Sequence, residues 1–192
     1  MAFEPNQLNV NVLLKNIEAN RFEPDFQLFP IALSDHLGAL PLFGANTGAS
    51  LVEGWAGQTN STLVPISTFD KTAGALVQGK SCLVLIDVEG AELGCLKGAS
   101  SLLSANTKNV LLIEISVNEH QPSGIQINPN LVETFELMFS NDFKAFTVDA
   151  EFRQVELAEV VQIAETGMDS IGTHNFLFVK SDMSLDELGL PA

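Results

Sequence analysis

Two patterns of apolar residues alternate along this chain. Short runs are apolar at consecutive positions, as in Leu83 to Ile86, which ends at Asp87, and Val110 to Ile113, which ends at Glu114. Consecutive apolar residues are expected of strands covered on both faces, which belong to a parallel sheet. Pro30 to Leu33, closed by Ser34 and Asp35, forms a third run, and Asn175 to Val179 a late one. Four parallel or mixed strands are expected from these runs. Between them lie helical stripes. Asn6 to Asn20 repeats Leu8, Val12, Leu13 and Ile17, and Ala91 to Ser104 repeats Leu93, Leu96, Ala99 and Leu103. Leu131, Phe135, Met138 and Phe139 stand at i, i+4, i+7 and i+8, the clearest stripe of all. Strand and helix in alternation predict an α/β fold with right-handed crossovers. Leu37 to Phe69 breaks the alternation with five glycines and two prolines, and is expected to be an irregular or β-hairpin insertion.

Composition narrows the class. The chain has 192 residues, 46% of them hydrophobic and 17% charged, enough apolar material for one core in one domain spanning 1–192. Nine basic against 24 acidic residues give a net charge of −15, a field that repels phosphate backbones and anionic lipid. Nucleic-acid and membrane-surface partners are therefore not expected. Two cysteines, Cys82 and Cys95, fit reduced thiols and a cytoplasmic protein, and no stretch approaches the length needed to span a bilayer.

Ligands of open parallel sheets bind at the carboxyl ends of the strands. The acids at those ends are Glu4, Asp35, Asp87 with Glu89, and Glu114. Glu4 precedes a helix and can either accept from the vicinal hydroxyls of a ribose or complement the helix N-terminus. Asp35 fits an ordinary turn acid. Asp87 and Glu89, two apart around a tight turn, can face one crevice and hold a cation or orient a hydroxyl. A metal role lacks a third local ligand. Glu114, among Leu112, Ile113 and Ile115, must be paired or functional; Lys97 and Lys108 are the expected structural partners. His36, His120 and His174 show no zinc spacing. His120 follows the strand ending at Glu114, where a base is useful, whereas His174 reads as structural. Trp55 and Phe43 either wall a pocket or pack beneath the hairpin. No G-x-S-x-G or phosphate-loop motif is present.

Together, AFEPN at Ala2 to Asn6, LLKNIEAN at Leu13 to Asn20, ALSD at Ala32 to Asp35, STFD at Ser67 to Asp70, IDVEGAE at Ile86 to Glu92, LKGA at Leu96 to Ala99 and IEI at Ile113 to Ile115 resemble the FkbM-type S-adenosylmethionine-dependent methyltransferases. NFLF at Asn175 to Phe178 resembles the family's closing strand. The resemblance implies a Rossmann-like, mostly parallel methyltransferase sheet and transfer of a methyl group to an oxygen of a small molecule or sugar. It implies S-adenosylmethionine as cofactor, held by Glu4 at the ribose, Ser34 and Asp35 near the adenine, and Asp87. Glu89 or His120 is then the catalytic base.

One departure lies at the front. Family members begin with a strand and a glycine-rich turn, and here no two glycines stand as G-x-G. The first strand and its turn are expected to be missing, as in a gene fragment or an internal methionine taken as a start. Weak or absent cofactor binding follows, unless a partner chain or a homo-oligomer fills the gap. A non-catalytic scaffold domain and a divalent-metal α/β enzyme are the alternative readings.

Overall fold

The computed structural model describes residues 1–22 and 25–190. The chain runs β1 (Ala2–Phe3), α1 (Gln7–Asn20), β2 (Leu28–Phe29), β3 (Ala32–Leu33), β4 (Gly38–Phe43), β5 (Ser61–Ser67), α2 (Phe69–Thr72) and α3 (Gly74–Val77). It continues through β6 (Leu83–Ile86), α4 (Glu92–Lys97), α5 (Ser100–Leu103), β7 (Val110–Glu114), α6 (Leu131–Ser140), β8 (Phe143–Thr147), β9 (Gln154–Val155), α7 (Leu157–Thr166) and β10 (Asn175–Lys180). The fold is mixed α/β. Three sheets form: β1-β2, β3-β5-β4, and a five-stranded sheet ordered β6-β7-β10-β8-β9.

The sheets are mixed rather than mostly parallel. β1-β2, β3-β5 and β6-β7 pair parallel, while β10 runs antiparallel to both of its neighbours, as do β8 to β9 and β4 to β5. The expected insertion is the β4-β5 hairpin, closed by a long connection carrying two 3-10 turns.

The core lies on the face where α6 and α7 meet the five-stranded sheet. Leu131, Phe135 and Met138 are fully buried, and Phe135 meets Phe176 edge-on at 5.1 Å between ring centroids. The α6 stripe therefore became core, as a 3.6-residue period over an apolar sheet requires. The expected helix over Ala91 to Ser104 is divided into α4 and α5. At Gly98 an added Cβ would stand 2.0 Å from the Ser34 carbonyl oxygen, so only glycine lets the β3 end approach there.

Two expectations about apolar faces are corrected. In α1 the buried residues are Val10 and Ile17, two turns apart, whereas Leu8 and Val12 are exposed. In β6 only one face is covered: Leu83 is 81% and Leu85 72% exposed, because these two residues share a face on which no described element packs, and β6 also lies at the sheet edge beside β7. Consecutive apolar residues predict two covered faces, and the second cover is absent among the described residues.

Phe135→Ala removes a fully buried ring from the centre of the core. A loss of roughly 3 to 5 kcal/mol is expected, read as a lower urea midpoint at unchanged slope. A loss below about 1 kcal/mol would show that the ring is not packed as described.

Candidate functional site

The ends of β1 and β6 open into one cleft of about 670 Å³, lined at its mouth by Glu4, Asp87 and Glu89 and along its floor by residues such as Phe3, Val84 and Leu96. Among the described residues its lining holds three carboxylates and no basic side chain. Such a site has a negative mouth over an apolar floor, an arrangement that attracts a cation carried on an apolar body.

Glu4 closes β1 immediately before α1. Its Oε1 accepts from the Asn6 N–H at 2.7 Å and its Oε2 from Asn9 Nδ2 at 3.3 Å. Asn6 in turn caps α1, accepting from the Leu8 N–H. These contacts fix the carboxylate's orientation, and each oxygen retains a lone pair for a further donor.

The turn after β6 is built differently. Glu89 and Gly90 both lie in the left-handed region, at φ 55° and 91°. This costs a residue with a side chain of order 1–3 kcal/mol, so the surroundings must hold it. They do so from the hairpin connection. Ser50 Oγ donates to the Glu89 carbonyl at 2.5 Å, and Trp55 Nε1 donates to Glu89 Oε2 at 2.8 Å. Trp55 is 2% exposed, and its ring lies against Gly90, where an added Cβ would approach it to 2.6 Å. The insertion thus aims the Glu89 carboxylate.

Glu92, which the motif contains but sequence reasoning passed over, is 3% exposed at the start of α4 and accepts from the Gly90 N–H at 2.8 Å. Burial pushes its carboxyl up to about 7, and repulsion from Asp87 and Glu89 adds to the rise. Asp87 is also raised, by burial first and by Glu89 second, while His174 opposes the rise. Glu114 is raised by burial and by Asp87. It does not pair with either expected lysine: Lys97 pairs with Glu133 and Lys108 with Glu187. Instead it shares its surroundings with Asp87 and His174, so the histidine read as structural stands beside the acids.

The other site residues expected from sequence lie elsewhere. Ser34 is buried, donating to Asp35 at 3.3 Å, and Asp35 is half-exposed and bonded to His36 Nδ1 at 2.6 Å, which holds its carboxyl below the usual range. Neither lines the cleft. His120 is exposed, at φ 61°, and its carbonyl accepts from the Ala56 N–H; its ring lies 6.1 Å from Trp55, outside the cleft lining. Cys95 lines the floor, with burial pushing its thiol up to about 12. Among the described residues no group of three or more His, Cys, Asp or Glu side chains is placed to hold a metal. No helix among them is long and apolar enough to cross a membrane.

A carboxyl raised from 4.5 to about 7 holds its proton in the folded state and loses it in the unfolded state, so stability falls as pH rises through that interval. Glu92→Gln keeps the acceptor for Gly90 and removes the titration. It is expected to be more stable than the parent at pH 8, by up to about 3 kcal/mol, and equal to it near pH 4. Parallel urea midpoints for both chains across that range refute the burial of Glu92. Gly90→Ala is expected to cost roughly 2 to 5 kcal/mol through strain and collision with the indole, read in the emission of Trp55, the single tryptophan.

The Methyltransferase FkbM domain family matches residues 1–151, which include β1 through β8 and the whole cleft. No curated protein and no solved structure matches the chain. Over most of its length, therefore, this chain belongs to the FkbM methyltransferase domain family, and the acid-mouthed cleft is its candidate active site.

Proposed function

We propose that the chain is built on a Rossmann-like methyltransferase sheet, and that it serves methyl transfer from S-adenosylmethionine to a hydroxyl of a small molecule or sugar. The observation that carries the reading is the convergence of Glu4, Asp87 and Glu89 on one cleft within the matched family region. These residues fit the donor: a nucleoside offers vicinal hydroxyls to a fixed carboxylate, and a sulfonium is a cation on an apolar body. When bound, the donor supplies an electrophilic methyl group.

The chain's own residues divide the work. Glu4, held by Asn6 and Asn9, accepts from the ribose hydroxyls. Asp87, at the end of β6, faces the cationic part of the donor. Glu89 is the base. Its Oε2 is occupied by Trp55, which leaves Oε1 to take the proton of the acceptor hydroxyl. His120 stands outside the cleft and the base role is not given to it. Displacement at a methyl carbon depends chiefly on alignment, so fixing of Glu89 by Trp55 and Ser50 matters as much as its basicity.

Ser34 and Asp35 follow Leu33 at the end of β3, next to the cleft lining, and are proposed for the outer, adenine-side edge of the donor. The cytoplasm is proposed as the site of action.

Trp55 touches Glu89 and reports on the cleft. Titration with S-adenosylhomocysteine is expected to give a saturable change in its emission. Loss of the two charge-assisted bonds in Glu4→Ala is expected to weaken binding by roughly ten- to a hundredfold. With labelled donor and a panel of hydroxylated acceptors, Glu89→Gln is expected to lower transfer by about 10²- to 10⁴-fold, and His120→Ala to leave it unchanged. A flat emission titration, or Glu4→Ala binding as the parent does, ends the proposal.

A further inference from the structure

The connection between β4 and β5 closes on itself. Phe43 and Ser50 form an antiparallel bridge, exchanging N–H to carbonyl bonds of 2.7 and 3.0 Å, so residues 44–49 stand out as a tight tab. Gln58, later in the connection, straps that tab down. Its Nε2 donates to the Gly48 carbonyl at 2.7 Å, and because a carbonyl accepts only from the nitrogen end, this bond assigns the orientation of the amide. Its Oε1 lies against Gly44, where an added Cβ would stand 1.1 Å away, so only glycine admits the amide there. The tab reaches the cleft, which Thr47 and Ala49 line together with Glu89.

Gly48, between those two lining residues, stands beside the proposed base. A Cβ built on it would lie 3.9 Å from Glu89 Oε1 and 3.8 Å from Gln58 Nε2, both ordinary contact distances. Gly48 is not among the glycines at positive φ, so neither backbone strain nor collision demands a glycine at this place. What the bare α-carbon does is keep open the space between the two polar atoms. Those atoms are complementary. Trp55 occupies Glu89 Oε2 and leaves Oε1 to accept, while Gln58 Nε2 carries a second N–H that has no partner among the described residues.

We propose that Glu89 Oε1, Gln58 Nε2 and the bare α-carbon of Gly48 form the acceptor subsite, and that it takes a vicinal diol. One hydroxyl donates to Glu89, and the oxygen on the neighbouring carbon accepts from Gln58. The inference deepens the methyl-transfer reading and rests on it for the fate of the first hydroxyl. In that step the hydroxyl oxygen bonds to the methyl carbon as the carbon–sulfur bond breaks; the sulfur keeps the electron pair, and the hydroxyl proton passes to Glu89 Oε1. A simple alcohol meets only half of the pair and leaves the Gln58 N–H without the partner that water had given it. An acceptor with a carboxylate or phosphate beside its hydroxyl is repelled by Glu89 and Asp87, both in the cleft lining. The substrate class is therefore the neutral polyols, sugars among them.

The probes are cis-1,2-cyclohexanediol and its one-hydroxyl counterpart cyclohexanol, added to the full chain. Carbodiimide coupling of glycine ethyl ester to the Glu89 carboxyl, located by peptide mass spectrometry, reads the subsite without any donor or turnover. The diol is expected to protect Glu89 at roughly tenfold lower concentration than cyclohexanol does. Gln58→Met keeps the length of the side chain and removes its donor; the preference for the diol is expected to fall below about twofold, with Glu89 still labelled when no alcohol is present. Gly48→Leu fills the gap and is expected to lower labelling of Glu89 itself by roughly tenfold, with the urea midpoint near that of the parent. No protection by the diol up to about 100 mM overturns the subsite, as does equal protection by the two alcohols. A preference that survives in Gln58→Met, or a parent chain whose Glu89 resists labelling, overturns it as well. The Trp55 titration with S-adenosylhomocysteine contains no diol, so failure of the donor reading is seen separately.

Discussion

The left-handed turn at Glu89 and Gly90 is the constraint on which the candidate site depends. Two successive residues at positive φ reverse the chain between the end of β6 and the start of α4, and one of them carries a carboxylate side chain. Such a turn does not hold itself. Ser50 and Trp55 grip Glu89 from the hairpin connection, and the buried carboxyl of Glu92 takes the Gly90 N–H from below. One distant segment, the hairpin connection, and the start of α4 therefore fix the turn and its carboxylate. The same grip raises the cost of charge nearby, since Glu92 and Asp87 are partly withdrawn from water beside Glu89.

The hairpin thereby gains a physical role. β4 and β5 form a ribbon joined to the short β3, while the connection between them reaches the end of β6 through Ser50 and Trp55. The connection also bonds to the loop after β7, where the Ala56 N–H meets the His120 carbonyl. Loops that carry function on a rigid scaffold commonly work in this way, with the scaffold supplying position and the loop supplying chemistry. The opposite side of the cleft is less finished. β6 ends the main sheet with bare leucines, and β1 with β2 stands as a separate two-stranded piece over a shared apolar cluster.

Much of this was legible in the residues. The α6 stripe, the runs that became β6, β7 and β10, and the hairpin nature of the glycine-rich stretch all follow from periodicity and turn chemistry. Strand direction was not legible: β10 has the same apolar run as a parallel strand yet lies antiparallel between β7 and β8. β8 and α7 were not foreseen, β8 because Lys144 and Thr147 break up its few apolar residues. Ser34, Asp35 and His120 carry the right chemistry but are not among the residues lining the cleft, although Ala32 and Leu33, just before Ser34, are. Glu92 was passed over because an acid in the first turn of a helix ordinarily faces solvent, and only burial distinguishes it.

The sequence by itself determined the α/β class, the core stripe of α6, the family over residues 1–151 and the presence of acids at strand ends. These depend on local periodicity and on motifs read in order along the chain. The tertiary structure decided which acids share a cleft, that Trp55 rather than a neighbour in sequence aims Glu89, and that Leu83 and Leu85 lie bare on an edge. Each of those outcomes is set by contacts between segments distant in the chain, and burial and pairing of that kind have no period along the sequence.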